Sequence, residues 1–306
     1  MSPLDQIAEA IGAEPIDLDA LLPTPEAEYV PHKLGTVGSS EAAAVLGLSD
    51  WMSPHQVWAR LVGLTGSTPD NPTLRTGRIV EPMMIEWYAK EAGRIIHRGP
   101  AYEEEPWIDL ENPWRHARPD GYTPEGLLVE VKKVRNWDDW GPDGTDQVPM
   151  NYLIQCLWQA SVAGDLYQTI VLIAFNVMND EIRIYHIPRA PDVEAALLQR
   201  IGDWYKAYVL TGTPPPPDGS DGCATILNVR FPRADKVWLE PTEDDIILHK
   251  QLKLVRQTRK QAEEAELSLT NTFKERIGSA SGIRGLVRWT GDKQRRFTVI
   301  GEKENE

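Results

Sequence analysis

Arg118-Pro119-Asp120-Gly121, followed by Leu127-Leu128-Val129-Glu130-Val131-Lys132-Lys133, is the stretch on which the reading of this chain turns. The second segment is short, rich in branched residues and bounded by glycine and proline, so it reads as a strand. Alternate side chains of a strand share a face. Glu130 and Lys132 therefore point one way, and Val129 and Val131 point the other way, toward a core. Asp120 sits at a Pro-Asp-Gly turn that leads into the strand, and such a turn brings its carboxylate beside Glu130.

Phosphodiester hydrolysis needs these groups. Mg²⁺ takes one or two carboxylates and leaves its other positions to water and substrate oxygens. Asp120 and Glu130 supply the carboxylates, and the main-chain carbonyl of Val131 adds a third oxygen. A cation held there polarises a phosphate and lowers the pKa of a bound water, and Mn²⁺ is the expected substitute. Lys132 is placed to orient that water or to stabilise charge in the transition state. Taken alone, Glu130-Val131-Lys132 reads more readily as a solvated sheet face than as an active site. The ten-residue step from the turn and the apolar run 127–131 favour the active-site reading.

Working outward, residues 39–46 read as a helix capped by Ser39 or Ser40. Further helices are expected over 54–62 and 76–91, the latter from Val80, Met83, Met84, Trp87 and Tyr88 at helical spacing. Strands are expected over 94–98, 114–118, 169–175 and 181–187, and helices over 151–163 and 192–210. This order gives an α/β (mixed α+β) fold, a central mixed sheet flanked by helices. Glu81, on the helix over 76–91, is either a surface residue, the usual place for a lone Glu, or, beside apolar Val80 and Met84, one that reaches the metal directly or through water. Gln155 and Gln159 share one face of the apolar helix over 151–163. Buried amides call for polar partners, whether in a core or at a site.

Residues 1–30 read as a peripheral acidic segment and 31–212 as the main domain. Pro214-Pro215-Pro216-Pro217 and the glycines after it read as a linker over 213–222, followed by an appendage over 223–306. That appendage consists of a long charged helix over 243–276 and a hairpin pairing 286–289 with 297–300. Its cations, among them Lys250, Arg256, Arg288 and Arg296, are either a solvated face or a surface that guides DNA or a partner.

The net charge of −14 argues against a nucleic-acid coat protein. It leaves room for a local basic channel, because net charge does not set the chemistry of a site. No apolar run is long enough to span a membrane, and the start of the chain lacks a secretory pattern. The two cysteines and six histidines have no metal-ligand spacing, so a cytoplasmic protein without a zinc site is expected. No phosphate-binding loop ending in Lys-Ser/Thr is present, so ATP use is not expected.

Five motifs then fall in order: Gly38-Ser39-Ser40-Glu41, Gly77-x-x-x-Glu81, Pro119-Asp120-Gly121, Glu130-Val131-Lys132 and Tyr152-x-x-Gln155. Their order and spacing resemble the PD-(D/E)XK nucleases, in particular the lambda-exonuclease-like and YqaJ-type viral recombinases. The resemblance covers about 33–210. It implies a restriction-endonuclease-like core, with Asp120 and Glu130 as metal ligands, Lys132 catalytic, and Glu81 and Gln155 accessory. It further implies 5′-to-3′ digestion of linear double-stranded DNA, a 3′ single strand passed to an annealing protein, and a ring-shaped trimer. In that family a basic pocket near the serine-bearing helix start holds the terminal 5′-phosphate. Ser40 matches that position, and a helix N-terminus suits an anion. The family's pocket arginine has no clear counterpart here, which leaves Lys33 as a substitute and Arg118 within reach. Lys lacks the bidentate fork of Arg. An endonuclease on the same core and a non-catalytic DNA- or partner-binding protein are the rival readings.

Overall fold

The structure is a computed structural model and describes residues 35–66, 71–101, 104–291 and 294–300. The expected segment 1–30 and Lys33 lie outside the described residues. Two compact units divide after Pro232.

In the first unit, strand β1 (Val37–Gly38) leads into helix α1 (Ser39–Val45), followed by α2 (Pro54–Leu61) and α3 (Pro72–Ala92). Short strands follow: β2 (His97–Arg98), β3 (Trp107–Ile108), β4 (Arg115–Ala117) and β5 (Gly121–Tyr122). Next come β6 (Leu127–Val134), α4 (Met150–Ala163), β7 (Thr169–Asn176), β8 (Glu181–Pro188), α5 (Pro191–Trp204) with a π-helical turn over Tyr205–Leu210, and α6 (Asp221–Arg230). The main sheet has the order β2-β5-β6-β7-β8. Its β6–β7 pair is parallel and its other pairs are antiparallel. The mixed sheet is therefore as the sequence implied. A smaller sheet has the order β1-β4-β3.

The central strands are buried on both faces, and the two faces carry separate cores. Leu128, Val134, Ile170, Leu172 and Tyr185 pack with residues of α1, α2, α4 and α5. Val129, Val171 and Ile173 pack with Met84, Ile85 and Tyr88 of α3. The period-2 reading of β6 thus holds: Val129 goes to the α3 side, and Glu130 shares its parity with Leu128 and Val134 on the α4 side. Helix α4 is apolar nearly all round, as a buried helix is. Leu153, Ile154, Leu157 and Trp158 are at most 1% exposed. Each such side chain contributes ~1.5–3 kcal/mol by burial, so the floor under β6 is rigid.

Two sequence expectations are corrected here. The cap of α1 is Gly38, neither Ser39 nor Ser40; Glu41, three residues on, accepts the Gly38 N–H at 3.0 Å. A carboxylate at that position satisfies one orphan donor and meets the positive end of the helix. The segment after the proline run is also not the start of a separate appendage. Residues 221–230 form α6, whose Cys223 and Ile226, three apart on one face, are buried at 1% and 4% exposed. Ile226 joins the core of the first unit, so the division falls ten residues beyond the expected linker.

The second unit holds helix α7 (Glu243–Ile277) and a three-stranded sheet of β9 (Gly282–Ile283), β10 (Val287–Thr290) and β11 (Arg296–Val299). The expected hairpin pairing is present, with Trp289 opposite Phe297. Phe273, Lys274 and Arg295 pack on these rings.

Candidate active site

The β5–β6 hairpin pairs Gly121 with Val129 and Tyr122 with Leu128. Asp120 immediately precedes β5, and its Oδ2 accepts the N–H of Val131 at 2.7 Å. From the other side, the Gly99 N–H donates to the Asp120 carbonyl at 3.0 Å. Any Cβ at Gly99 would collide with the carbonyl oxygen of Pro119. Only glycine permits that close approach, so the chain after β2 clamps the Pro-Asp-Gly turn against β6.

Glu130 lies in mid-strand and is 2% exposed. Its Oε1 accepts from Lys132 Nζ at 2.5 Å and from Gln155 Nε2 at 2.6 Å, and its Oε2 accepts from Gln159 Nε2 at 2.7 Å. Gln155 and Gln159 stand one turn apart on α4. An ionised carboxylate buried this deeply needs charged or charge-assisted partners, and three donors supply them. The ammonium of Lys132 also sits 5.3 Å from the ring centroid of Tyr152. The Oε1 of Gln159 is buried without a hydrogen-bond partner.

The electrostatics follow from this crowding. Burial, then the charges of Glu130 and Glu81, push the Asp120 carboxyl well above the usual carboxylate range, against Lys132 and the Val131 N–H. Burial also raises Glu81, opposed by Arg98 and reinforced by Glu130. Burial alone would lower the Lys132 ammonium, but Glu130 and Asp120 outweigh it, and the lysine is held charged. The thiol of Cys156, on the buried side of α4, is raised by burial and by Glu130. Mutually repelling carboxylates held this way are the arrangement a divalent cation relieves. Asp120 and Glu130 offer hard oxygen donors, so the residues present fit such an ion.

The sequence-derived set is thus partly gathered. Asp120, Glu130, Lys132 and Gln155 meet at one place. Val131 joins them through its N–H, which holds Asp120. Glu81 is electrostatically coupled to the cluster, while its Oε1 is held by Arg98 at 3.1 Å. Ser40 is exposed on the first turn of α1. Arg118 donates through Nη1 to the Ala101 carbonyl at 2.5 Å, and its own carbonyl lies 3.4 Å from Gln159 Nε2. Gln159 and Arg98 were not among the sequence-derived site residues. The signal for Gln159 was its i+4 spacing from Gln155; Arg98 had none. Trp137 and Trp140 are packed rather than displayed. Arg183 lies 4.0 Å over Trp137, and Trp140 meets Tyr152 and Tyr185.

Residues 28–165 match the YqaJ-like viral recombinase domain family. Over these residues the chain is similar to a YqaJ-like domain. Its span takes in Asp120, Glu130, Lys132, Gln155 and Gln159, the whole of the cluster described above. The chain is 20% identical over 207 residues to the uncharacterized protein YqaJ of Bacillus subtilis strain 168, covering 67% of this chain. The chain spans 63% of the length of that relative. Among solved structures it is similar to the alkaline exonuclease LHK-Exo of Laribacter hongkongensis. That match has 20% identity and a TM-score of 0.45, and covers 57% of this chain and 88% of that one. It is also similar to a phage-related exonuclease of Haemophilus somnus 129PT, at 14% identity and a TM-score of 0.42, over 57% and 94% of the two chains.

Proposed function

We propose that the YqaJ-like domain is a divalent-metal-dependent deoxyribonuclease that works as an exonuclease on the ends of linear duplex DNA. The observation that carries this reading is the group of buried Glu130 with half-buried Asp120 and Lys132 on one hairpin, with Gln155 and Gln159 fixing the central carboxylate. A core built only for stability gains little from it, because apolar residues of similar volume stabilise as well or better. Two carboxylates and a charged lysine are, by contrast, the inventory of phosphodiester hydrolysis.

Asp120 and Glu130 would hold the cation, which is Mg²⁺ with Mn²⁺ as a substitute. When bound it supplies charge stabilisation at the phosphate and a more acidic water. Lys132 keeps its proton and donates to the attacking water or to a phosphate oxygen. Gln155 and Gln159 hold Glu130 in one rotamer, and Val131 N–H holds Asp120. Arg98 holds Glu81 beside them and opposes the rise that burial imposes on its carboxyl. The 5′-to-3′ direction, a 3′ overhang handed to an annealing protein, and a trimeric ring belong to the same proposal and rest on the family resemblance. So does a 5′-phosphate contact by Ser40, Lys33 and Arg118.

The test is digestion of a linear duplex labelled separately at its 5′ and 3′ ends, with Mg²⁺, for wild type beside Lys132→Ala. Loss of the 5′ label into short products, a preserved 3′-ended strand and an inactive mutant are expected. Cleavage of closed circular DNA would favour an endonuclease on the same core. An intact duplex across a range of salt would overturn the nuclease reading.

A further inference from the structure

Away from the hairpin, three side chains converge that no part of the nuclease reading uses. His55 is the second residue of α2, 1% exposed, and its Nδ1 makes no hydrogen bond. Cys223 lies in the first turn of α6, 1% exposed and free of any disulfide. Asp218 is exposed on the segment just before α6. One ligand-type atom from each falls within 4.8 Å of the other two. We propose that His55, Asp218 and Cys223 form a binding site for a single divalent transition-metal ion of the zinc class.

The donor chemistry selects that class. Thiolate, imidazole and carboxylate together suit Zn²⁺ and its neighbours, whereas Mg²⁺ and Ca²⁺ take oxygen alone. Charge balance supports it. One thiolate and one carboxylate neutralise a divalent ion, so no net charge enters a partly buried site, even beside Arg230, whose charge reaches His55. The Cys223 thiol releases its proton to water on binding.

The frame is already set. The Ser220 hydroxyl accepts the Cys223 N–H at 3.0 Å, and Asp218 Oδ1 accepts the Ser220 N–H at 2.8 Å. At Gly222 a Cβ would collide with Gln56 Oε1 and lie 2.9 Å from Ser53 Oγ, so the starts of α2 and α6 meet at close range. Asp218 also lines an open cavity of about 740 Å³ with Trp51, Ser53, Gln56 and Ser220. The Asp218 side of the cluster thus faces open space, and water would complete the shell of an ion held there. Such an ion would pin the segment after the proline run to α2. The spacing in sequence hides the site, because Cys223 is far from His55 and no pair has a ligand-motif interval.

The purified full chain, stripped with chelator, is titrated with Co²⁺ as a spectroscopic probe and then with Zn²⁺. One equivalent of Co²⁺ giving a thiolate-to-metal charge-transfer band, displaced by one equivalent of Zn²⁺, is expected. The chain has two cysteines, so the band is assignable: Cys223→Ser abolishes it and Cys156→Ser retains it. Asp218→Asn, at an exposed position that leaves the core intact, weakens Co²⁺ affinity at least tenfold, and bound Zn²⁺ raises the thermal midpoint of wild type. No thiolate band at excess Co²⁺, a band that survives Cys223→Ser, or unchanged affinity in Asp218→Asn would each overturn the site. DNA cleavage is not the readout, so this result stands or falls separately from the nuclease proposal.

Discussion

Replacing Gln159 with leucine separates the work of the site from the stability of the core. Gln159 is fully buried. Its Nε2 donates to Glu130 Oε2 at 2.7 Å, and its Oε1 has no partner. Leucine has nearly the same volume, so packing is kept. Losing a hydrogen bond to a buried carboxylate costs ~1.5–3 kcal/mol, while removing an unpaired buried oxygen returns ~1–3 kcal/mol. The two nearly cancel, and the midpoint of thermal unfolding should move by little. The site has no such compensation. Glu130 keeps Lys132 and Gln155 on Oε1 but loses the Gln159 donor on Oε2. If the whole of that ~1.5–3 kcal/mol is expressed in the transition state, cleavage falls about ten- to a hundredfold, at ~1.36 kcal/mol per decade. A freed Glu130 should also raise the Mg²⁺ concentration needed for half-maximal rate, which a purely structural role would not do. The assay is initial-rate digestion of an end-labelled linear duplex across a Mg²⁺ series, beside thermal unfolding. A Gln159→Leu protein that cleaves at the wild-type rate with the wild-type Mg²⁺ dependence would refute the clamp.

The other expected outcomes concern the frame around the site. Gly99→Ala forces a methyl into the Pro119 carbonyl; about 1–3 kcal/mol of strain should displace Asp120, seen as lost cleavage with a lowered thermal midpoint. Arg60→Ala removes the two-pronged ion pair to Glu41, whose side chain is 10% exposed. Because the arginine is partly open to solvent the cost is ~2–3 kcal/mol, or roughly 5–10 °C by calorimetry. His116 is held down to about pKa 4 by burial and then by the charges of Arg118 and Arg60. Between pH 6.5 and 4 the unfolded chain binds a proton that the folded chain refuses, so stability falls as pH drops through that window. The full shift is worth ~3 kcal/mol, and solvent screening of a half-buried ring reduces it to ~1–2 kcal/mol. Denaturant titrations at pH 7 and pH 4.5 should show this loss, and His116→Asn should lessen it.

What the sequence made legible follows from periodicity. β6, β7, β8 and α4 were visible because long buried elements must carry either alternation or an unbroken apolar run. Asp120, Glu130 and Lys132 were visible because a turn and a strand fix their geometry locally. The strands β1, β3 and β5 are two residues long and leave no period to find. Helix α6 was hidden because it follows prolines and glycines, and only Cys223 and Ile226 mark its buried face. The partner of Glu81, Arg98, and the convergence of His55 with Cys223 are set by tertiary packing. No local pattern encodes them.

The parallel pairing of β6 with β7 has a consequence for timing. β6 finds β5 through a short hairpin, but its other neighbour arrives only after α4 has been made and crossed over. Gln155 and Gln159 ride on that crossover. During synthesis, then, Asp120 and Glu130 emerge as an open acidic ribbon. They become a fixed pair only when Thr169–Asn176 zips into the sheet and presses α4 down. The unit therefore cannot bring Glu130 together with its two glutamines ahead of the scaffold that holds them.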